Sequence, residues 1–167
     1  HWATERRIAT SGLSWTFLRD GMYADFLPAM VGEDGVLRGP AGDGRVAAVA
    51  QDDIAEVAAL VLHEPSAHAG ATYDLTGPQA LTLAEAAEAI AAATGRAVRY
   101  QPETVAEAYA SRAAYGAPDW QVEAWVSTYT AIAARELAAV SSVIPDLLGR
   151  PATSLAELLA AKQPDPV

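Results

Sequence analysis

The sequence predicts an α/β fold that runs into a mainly helical second half. Three observations carry this. A helical stretch at 2–10 stops at Ser11-Gly12 and is followed at once by the apolar run Leu13-Ser14-Trp15-Thr16-Phe17-Leu18, the αβ half of a parallel-sheet unit. A second apolar strand, Thr72 to Thr76, follows an amphipathic helix and is closed by Gly77-Pro78. Beyond residue 80, Ser/Thr-x-x-Glu patterns at Thr82, Thr104 and Ser154 announce helix starts.

In order along the chain, Trp2, Glu5, Arg6 and Ile8 give the first helix one apolar and one charged side. The strand at 13–18 ends at Arg19. Met22 to Val31 reads as a short apolar helix or loop. Gly35 to Pro40 and Arg45 to Val49 read as short strands joined in a hairpin by Ala41-Gly42-Asp43-Gly44. Gln51-Asp52-Asp53 should cap a helix whose buried stripe is Ile54, Val57, Ala58, Val61 and Leu62. His63 and His68 then fall in a loop-like, solvated stretch. The Thr82 helix, with Leu81 as a hydrophobic staple, runs to Thr94 and stops at Gly95. A short strand at 98–100 precedes the Thr104 helix, which ends near Tyr115-Gly116. Pro118-Asp119 opens a long helix offering Trp120, Val122, Trp125, Tyr129 and Ile132 for burial, and Ser154 opens the last helix before a frayed tail at 163–167. Two main strands, both buried in character, are few for so many helices. The chain is therefore expected to be the second half of a larger fold whose further strands lie elsewhere.

Composition narrows the function. A hydrophobic fraction of 51% in 167 residues supports one buried core. The net charge of -10 argues against a nucleic-acid surface and against an anionic membrane surface. Without Cys there is no disulfide, thiolate catalysis or thiolate metal site. No apolar run approaches the ~20 residues of a membrane span, and no signal peptide is evident, so the expected location is the cytoplasm. No metal site is expected, since neither HExxH nor His pairs at ligand spacing occur, and the absence of GxSxG leaves a nucleophilic hydrolase unsupported.

The segment Leu18-Arg19-Asp20-Gly21-Met22-Tyr23-Ala24-Asp25-Phe26 lies just beyond the carboxyl end of a predicted parallel strand, where open α/β sheets bind ligands. Gly21 would let the backbone approach a ligand closely. Tyr23 and Phe26 admit two readings: walls of a pocket for a flat molecule, or ordinary core between the sheet and the helices. The chain contains no G-x-G-x-x-G phosphate-binding fingerprint, and the Gly-rich stretch at 41–44 is not followed by a helix that could aim its N-terminus at phosphate.

The run from His1 to Tyr23 resembles the helix and sixth strand of atypical short-chain dehydrogenase/reductases of the NmrA-like branch. Three further stretches resemble the same family in the same order: Gly42 to Ala55, Thr72 to Glu85, and Leu148 to Glu157. The opening His-x-x-Thr-Glu and the Gly-Asp-Gly turn are most similar to type-2 NAD(P)H:quinone oxidoreductases. The resemblance implies the C-terminal part of a Rossmann-like NAD(P)-binding fold. Late Rossmann elements would occupy 1–19 and 51–77, with a small, mainly helical substrate lobe at 20–50 and 78–167. It implies that the intact parent reduces quinones or similar small carbonyl compounds with NADPH or NADH, this chain alone being inactive; the alternative is a non-catalytic dinucleotide-sensing regulator of NmrA type. His1 and Tyr23 would be the catalytic candidates. His1, Gly21, Met22 and Tyr23 would border the cofactor, with Tyr23, Phe26 and Trp120 walling the substrate. His1 stands where the wider superfamily carries its Lys, so the usual proton relay is expected to be altered. The partner is expected to be a small molecule, and an open sheet edge would allow a homodimer.

Overall fold

The structure is a computed structural model that describes residues 1–161, so the tail at 163–167 lies outside the described residues. It begins with helix α1 (Trp2–Ala9), which buries none of its side chains. Two charge-assisted bonds from Arg19 to Glu5, at 2.8 and 2.6 Å, tie it to strand β1 (Phe17–Asp20). That strand starts four residues later than the apolar run suggests. Leu13 is 69% exposed, and Trp15 stacks on Phe17 ahead of the sheet.

Strand β2 (Val36–Gly39), strand β3 (Arg45–Val46), helix α2 (Gln51–His63), strand β4 (Thr72–Leu75) and strand β5 (Leu81–Thr82) follow. Helix α3 (Leu83–Thr94), strand β6 (Arg99–Pro102), helix α4 (Val105–Arg112), helix α5 (Asp119–Ala133), helix α6 (Val143–Leu148) and helix α7 (Leu155–Ala161) complete the order. The strands form three two-stranded sheets. β1 runs parallel to β4, with Phe17 opposite Thr72 and Asp20 opposite Leu75. One face of this pair packs toward α2 and α6 through Leu18, Tyr73, Leu75, Val57 and Ile144. Leu75 alone is fully buried on these two strands, so neither has the two-sided burial expected of it.

The expected hairpin at 35–49 does not form. The turn closes, with Gly44 N–H donating to Ala41 C=O at 2.9 Å. Its two flanks, however, diverge: β2 pairs in parallel with β6, and β3 pairs antiparallel with β5. Helix α5 lies against the turn between them at Gly44, where a Cβ would overlap the Ile132 carbonyl. The largest core gathers here, built from Leu37 and Val46, Leu83 and Ile90 of α3, Ile132 of α5 and Leu158 of α7.

Local signals place the helix ends of the second half. Thr82 and Glu85 form a reciprocal capping box at the start of α3, and Gly95 ends it at φ +67°. Thr104 with Glu107 repeats the arrangement on α4, and Ser154 with Glu157 does so on α7. The start of α2 departs from expectation. Neither Asp52 nor Asp53 caps it: Ala50 occupies the N-cap, and the Asp25 carboxylate accepts from Gln51 N–H at 2.8 Å. Asp53 is instead fully buried, accepting from Thr153 N–H at 2.7 Å and Thr153 Oγ1 at 2.9 Å and pairing with Arg150 at 2.8 Å. Leu62 points to solvent rather than into the stripe. His63 is exposed, whereas His68 is buried, its Nδ1 2.8 Å from the Tyr73 hydroxyl.

Candidate active-site cleft

Beyond the carboxyl end of β1 the chain leaves the sheet at Gly21 and passes through Met22 and Tyr23 into two 3-10 turns, Ala24–Phe26 and Pro28–Met30. Val49 pins this exit. Its N–H donates to Met22 C=O at 3.0 Å, and its C=O accepts from Ala24 N–H at 2.8 Å. The turns wall a cleft of about 1060 Å³, at the upper end for small-molecule sites. His1, Gly21, Met22, Tyr23 and Phe26 all line it. Trp120 does not join them. It is 70% exposed on the first turn of α5, outside the cleft, and Trp125 supplies the indole instead. A smaller pocket of about 230 Å³ shares Asp20, Gly21 and Met22 with the cleft and extends to Asp74 and Glu136.

Tyr23 donates its hydroxyl proton to Asp20 Oδ2 at 2.5 Å and meets Phe26 edge-on at 5.4 Å between ring centroids. The bond to Asp20, and then the Asp20 charge, push the phenol above its ordinary pKa. Tyr23 is thus a neutral phenol at physiological pH whose proton is directed at a carboxylate, and it offers a ligand its lone pairs. His1 sits at the N-cap of α1 on the cleft lining.

The remaining lining comes from β2, α4 and α5. Arg38 and Asp34, joined at 2.5 Å, stand at its exposed margin. Arg112 is buried at the end of α4, its Nη1 bonded to Glu103 at 2.9 Å and to Ala108 C=O at 2.9 Å. Its Nη2 donates to Arg38 C=O at 3.1 Å, and the guanidinium lies 5.0 Å from the centroid of the Tyr129 ring. Burial opposes its charge most strongly of any single influence, but the hydrogen bond to Glu103 and the contacts with Tyr129 together outweigh it, and Arg112 remains a cation. Burial likewise holds Tyr129 above the usual phenol value. Tyr115 meets Trp125 edge-on at 6.0 Å and completes the aromatic part of the lining. The i, i+4 spacing of Trp125 and Tyr129 signals one helix face, and it is the signal by which these two could be found from sequence. Among the described residues no cluster of His, Asp and Glu is disposed to hold a metal ion, and no helix is long and apolar enough to cross a membrane.

No family model matches the chain. The chain is 35% identical over 160 residues to an NAD(P)H azoreductase of Xenophilus azovorans, covering 94% of this chain and 56% of that protein. It is 34% identical over 161 residues to quinone oxidoreductase 2 of Escherichia coli, again covering 94% and 56%. The crystal structure of the Escherichia coli NADPH-dependent quinone oxidoreductase complexed with NADPH superposes with a TM-score of 0.86 at 33% identity, over 96% of this chain and 58% of that one. The regulator NmrA, in complex with NAD, shares the fold with a TM-score of 0.68 at 15% identity, over 96% of this chain and 56% of that one. The fold is thus the Rossmann-like α/β fold, with parallel strand pairs and flanking helices, of NAD(P)-dependent reductases. The chain's sequence likeness is to the quinone and azo reductases, and NmrA shares the fold alone. The chain spans about half the length of the curated relatives it matches, 56% in each of these two.

Proposed function

We propose that the protein carrying this chain is an NAD(P)H-dependent reductase of quinones or similar flat, conjugated acceptors, and that this chain supplies the acceptor-facing part of the site. The observation that carries the reading is the cleft of about 1060 Å³ at the carboxyl end of β1, lined by Gly21, Met22, Tyr23 and Phe26. It occurs in a chain about one-third identical to quinone and azo reductases. The cleft fits the cofactor in two respects: its volume takes a nicotinamide ring together with a flat acceptor, and Gly21 leaves the backbone open beside Met22, which Val49 holds in place. When bound, the dihydronicotinamide supplies the hydride.

In this reading His1, Gly21, Met22 and Tyr23 border the cofactor, while Tyr23, Phe26 and Trp125 wall the acceptor. Holding flat partners face to face is the main task left to the protein. Tyr23, with its proton committed to Asp20, orients a ligand by accepting a hydrogen bond and does not act as an acid. We further assign 1–19 and 51–77 to the cofactor-proximal part and, among the described residues, 20–50 and 78–161 to the acceptor lobe. The regulator reading has less support, because that likeness is one of fold only. The test is to follow NADPH and NADH oxidation by the longest form of the protein its gene encodes, with a panel of quinones and azo dyes. Turnover with at least one acceptor is expected; none with any would sink the proposal.

A further inference from the structure

Two cations line the cleft, and their carboxylate partners are placed differently. Asp34, the partner of Arg38, lines the cleft beside it, so that pair presents both charges to a ligand. Glu103, the partner of Arg112, is buried with it and is absent from the lining. Arg112 therefore lines the cleft while its countercharge does not. Arg112 is also fixed in place: Ala108 C=O and Arg38 C=O accept from it, and its guanidinium carbon lies over the Tyr129 ring, 5.0 Å from the centroid. A buried ion pair is weak evidence for stability, since apolar residues of similar volume often serve as well. A preorganised planar cation in a cleft wall is, by contrast, suited to an oxygen bearing negative charge. Of the acidic side chains in the lining, Asp20 accepts from Tyr23 and Asp34 is held by Arg38.

We propose that Arg112, lying over the Tyr129 ring, is a specificity-determining residue that receives an anionic oxygen of a flat conjugated acceptor, such as the ionised hydroxyl of a hydroxyquinone. The inference rests on reading the cleft as the acceptor site.

The test is calorimetric binding, to the longest form of the protein its gene encodes, of two probes of similar shape: lawsone, a hydroxynaphthoquinone that is an anion at neutral pH, and its uncharged methyl counterpart menadione. The native protein should prefer lawsone, and that preference should shrink as salt is added while menadione binding holds. The paired variant Glu103→Met with Arg112→Met keeps the buried volume. It should lose lawsone affinity by roughly tenfold and retain menadione. Arg112→Lys, which keeps charge without the planar guanidinium, should fall between. An unchanged lawsone-to-menadione ratio in a folded paired variant overturns the inference and makes Arg112 structural. So does a salt-independent lawsone affinity in the native protein, which needs no variant. Binding of menadione with no preference for lawsone rejects the role of Arg112 but spares the acceptor reading, whereas binding of neither probe removes both.

Discussion

Gly39→Ala tests the packing under the cleft. Gly39 ends β2, and the Tyr129 ring lies directly over its Cα. A Cβ there would fall 2.8 Å from Cγ of Tyr129 and nearer still to Cδ1 and Cε1, inside the limit of 3.0 Å that real Cβ atoms respect. Tyr129 has little room to yield, being buried with Arg112 against it. The backbone at Gly39 has no positive φ, so the usual effect of Gly→Ala would be a gain of about 0.4–1 kcal/mol from a stiffer unfolded chain. Overpacking a well-filled site costs about 1–3 kcal/mol. The packing term wins, leaving a net loss of about 1–2 kcal/mol, or a fall in Tm of roughly 3–6 °C for a chain of this size. Calorimetric melting of Gly39→Ala, Tyr129→Leu and the double variant reads both the loss and its origin. The double variant should recover part of the loss, giving a coupling of about 1 kcal/mol. A Gly39→Ala protein that melts at or above the native temperature would refute the reasoning.

Two further outcomes follow from the buried and capping carboxylates. Asp53→Ala removes the acceptor of the Thr153 N–H and hydroxyl and one partner of Arg150. It should cost about 2–4 kcal/mol by urea unfolding, while Asp52→Ala, exposed one residue earlier, should stay within about 0.5 kcal/mol; equal losses would contradict the buried role. The capping carboxyl of Glu85 is held below its ordinary value of 4.5, first by the Thr82 N–H and then by Arg45. Glu107 and Glu157 are lowered in the same way by Thr104 and Ser154. A depressed folded-state pKa stabilises the fold above the unfolded value and loses that contribution as pH falls through the folded one. Thermal midpoints should therefore drop below about pH 4.5, less steeply in Thr82→Ala, and a midpoint that stays flat there would count against the capping account.

What could be read from sequence was what neighbouring residues decide. Both ends of α3 are written locally, by the Thr82-Glu85 box and by the left-handed Gly95. The cleft-facing turn at Gly21 to Phe26 was legible because the end of a parallel strand is where the fold opens. Several of the misreadings are non-local. Asp53 has the look of a helix cap, but its partner Thr153 lies 100 positions away. β2 and β3 flank a plausible turn, yet each found its partner beyond residue 80. Trp120 and Trp125 are equally apolar in sequence, and only the seating of α5 against β3 and α4 decides which indole reaches the cleft. Arg112 carries no motif at all, since its meaning comes from Glu103 and Tyr129.

The Asp25 bond to Gln51 has a consequence for anyone who wishes to transplant acceptor preference between relatives. The 3-10 turn that carries Phe26 also closes the amino end of α2, and two residues further on Asp53 fastens that helix to Thr153. Val49 clasps the same turn from its other side. The wall of the cleft is therefore not an interchangeable loop. A graft of residues 20–30 alone would arrive without the clamp that shapes it, and the smallest portable unit joins 20–30 with 49–53 and the segment around Thr153.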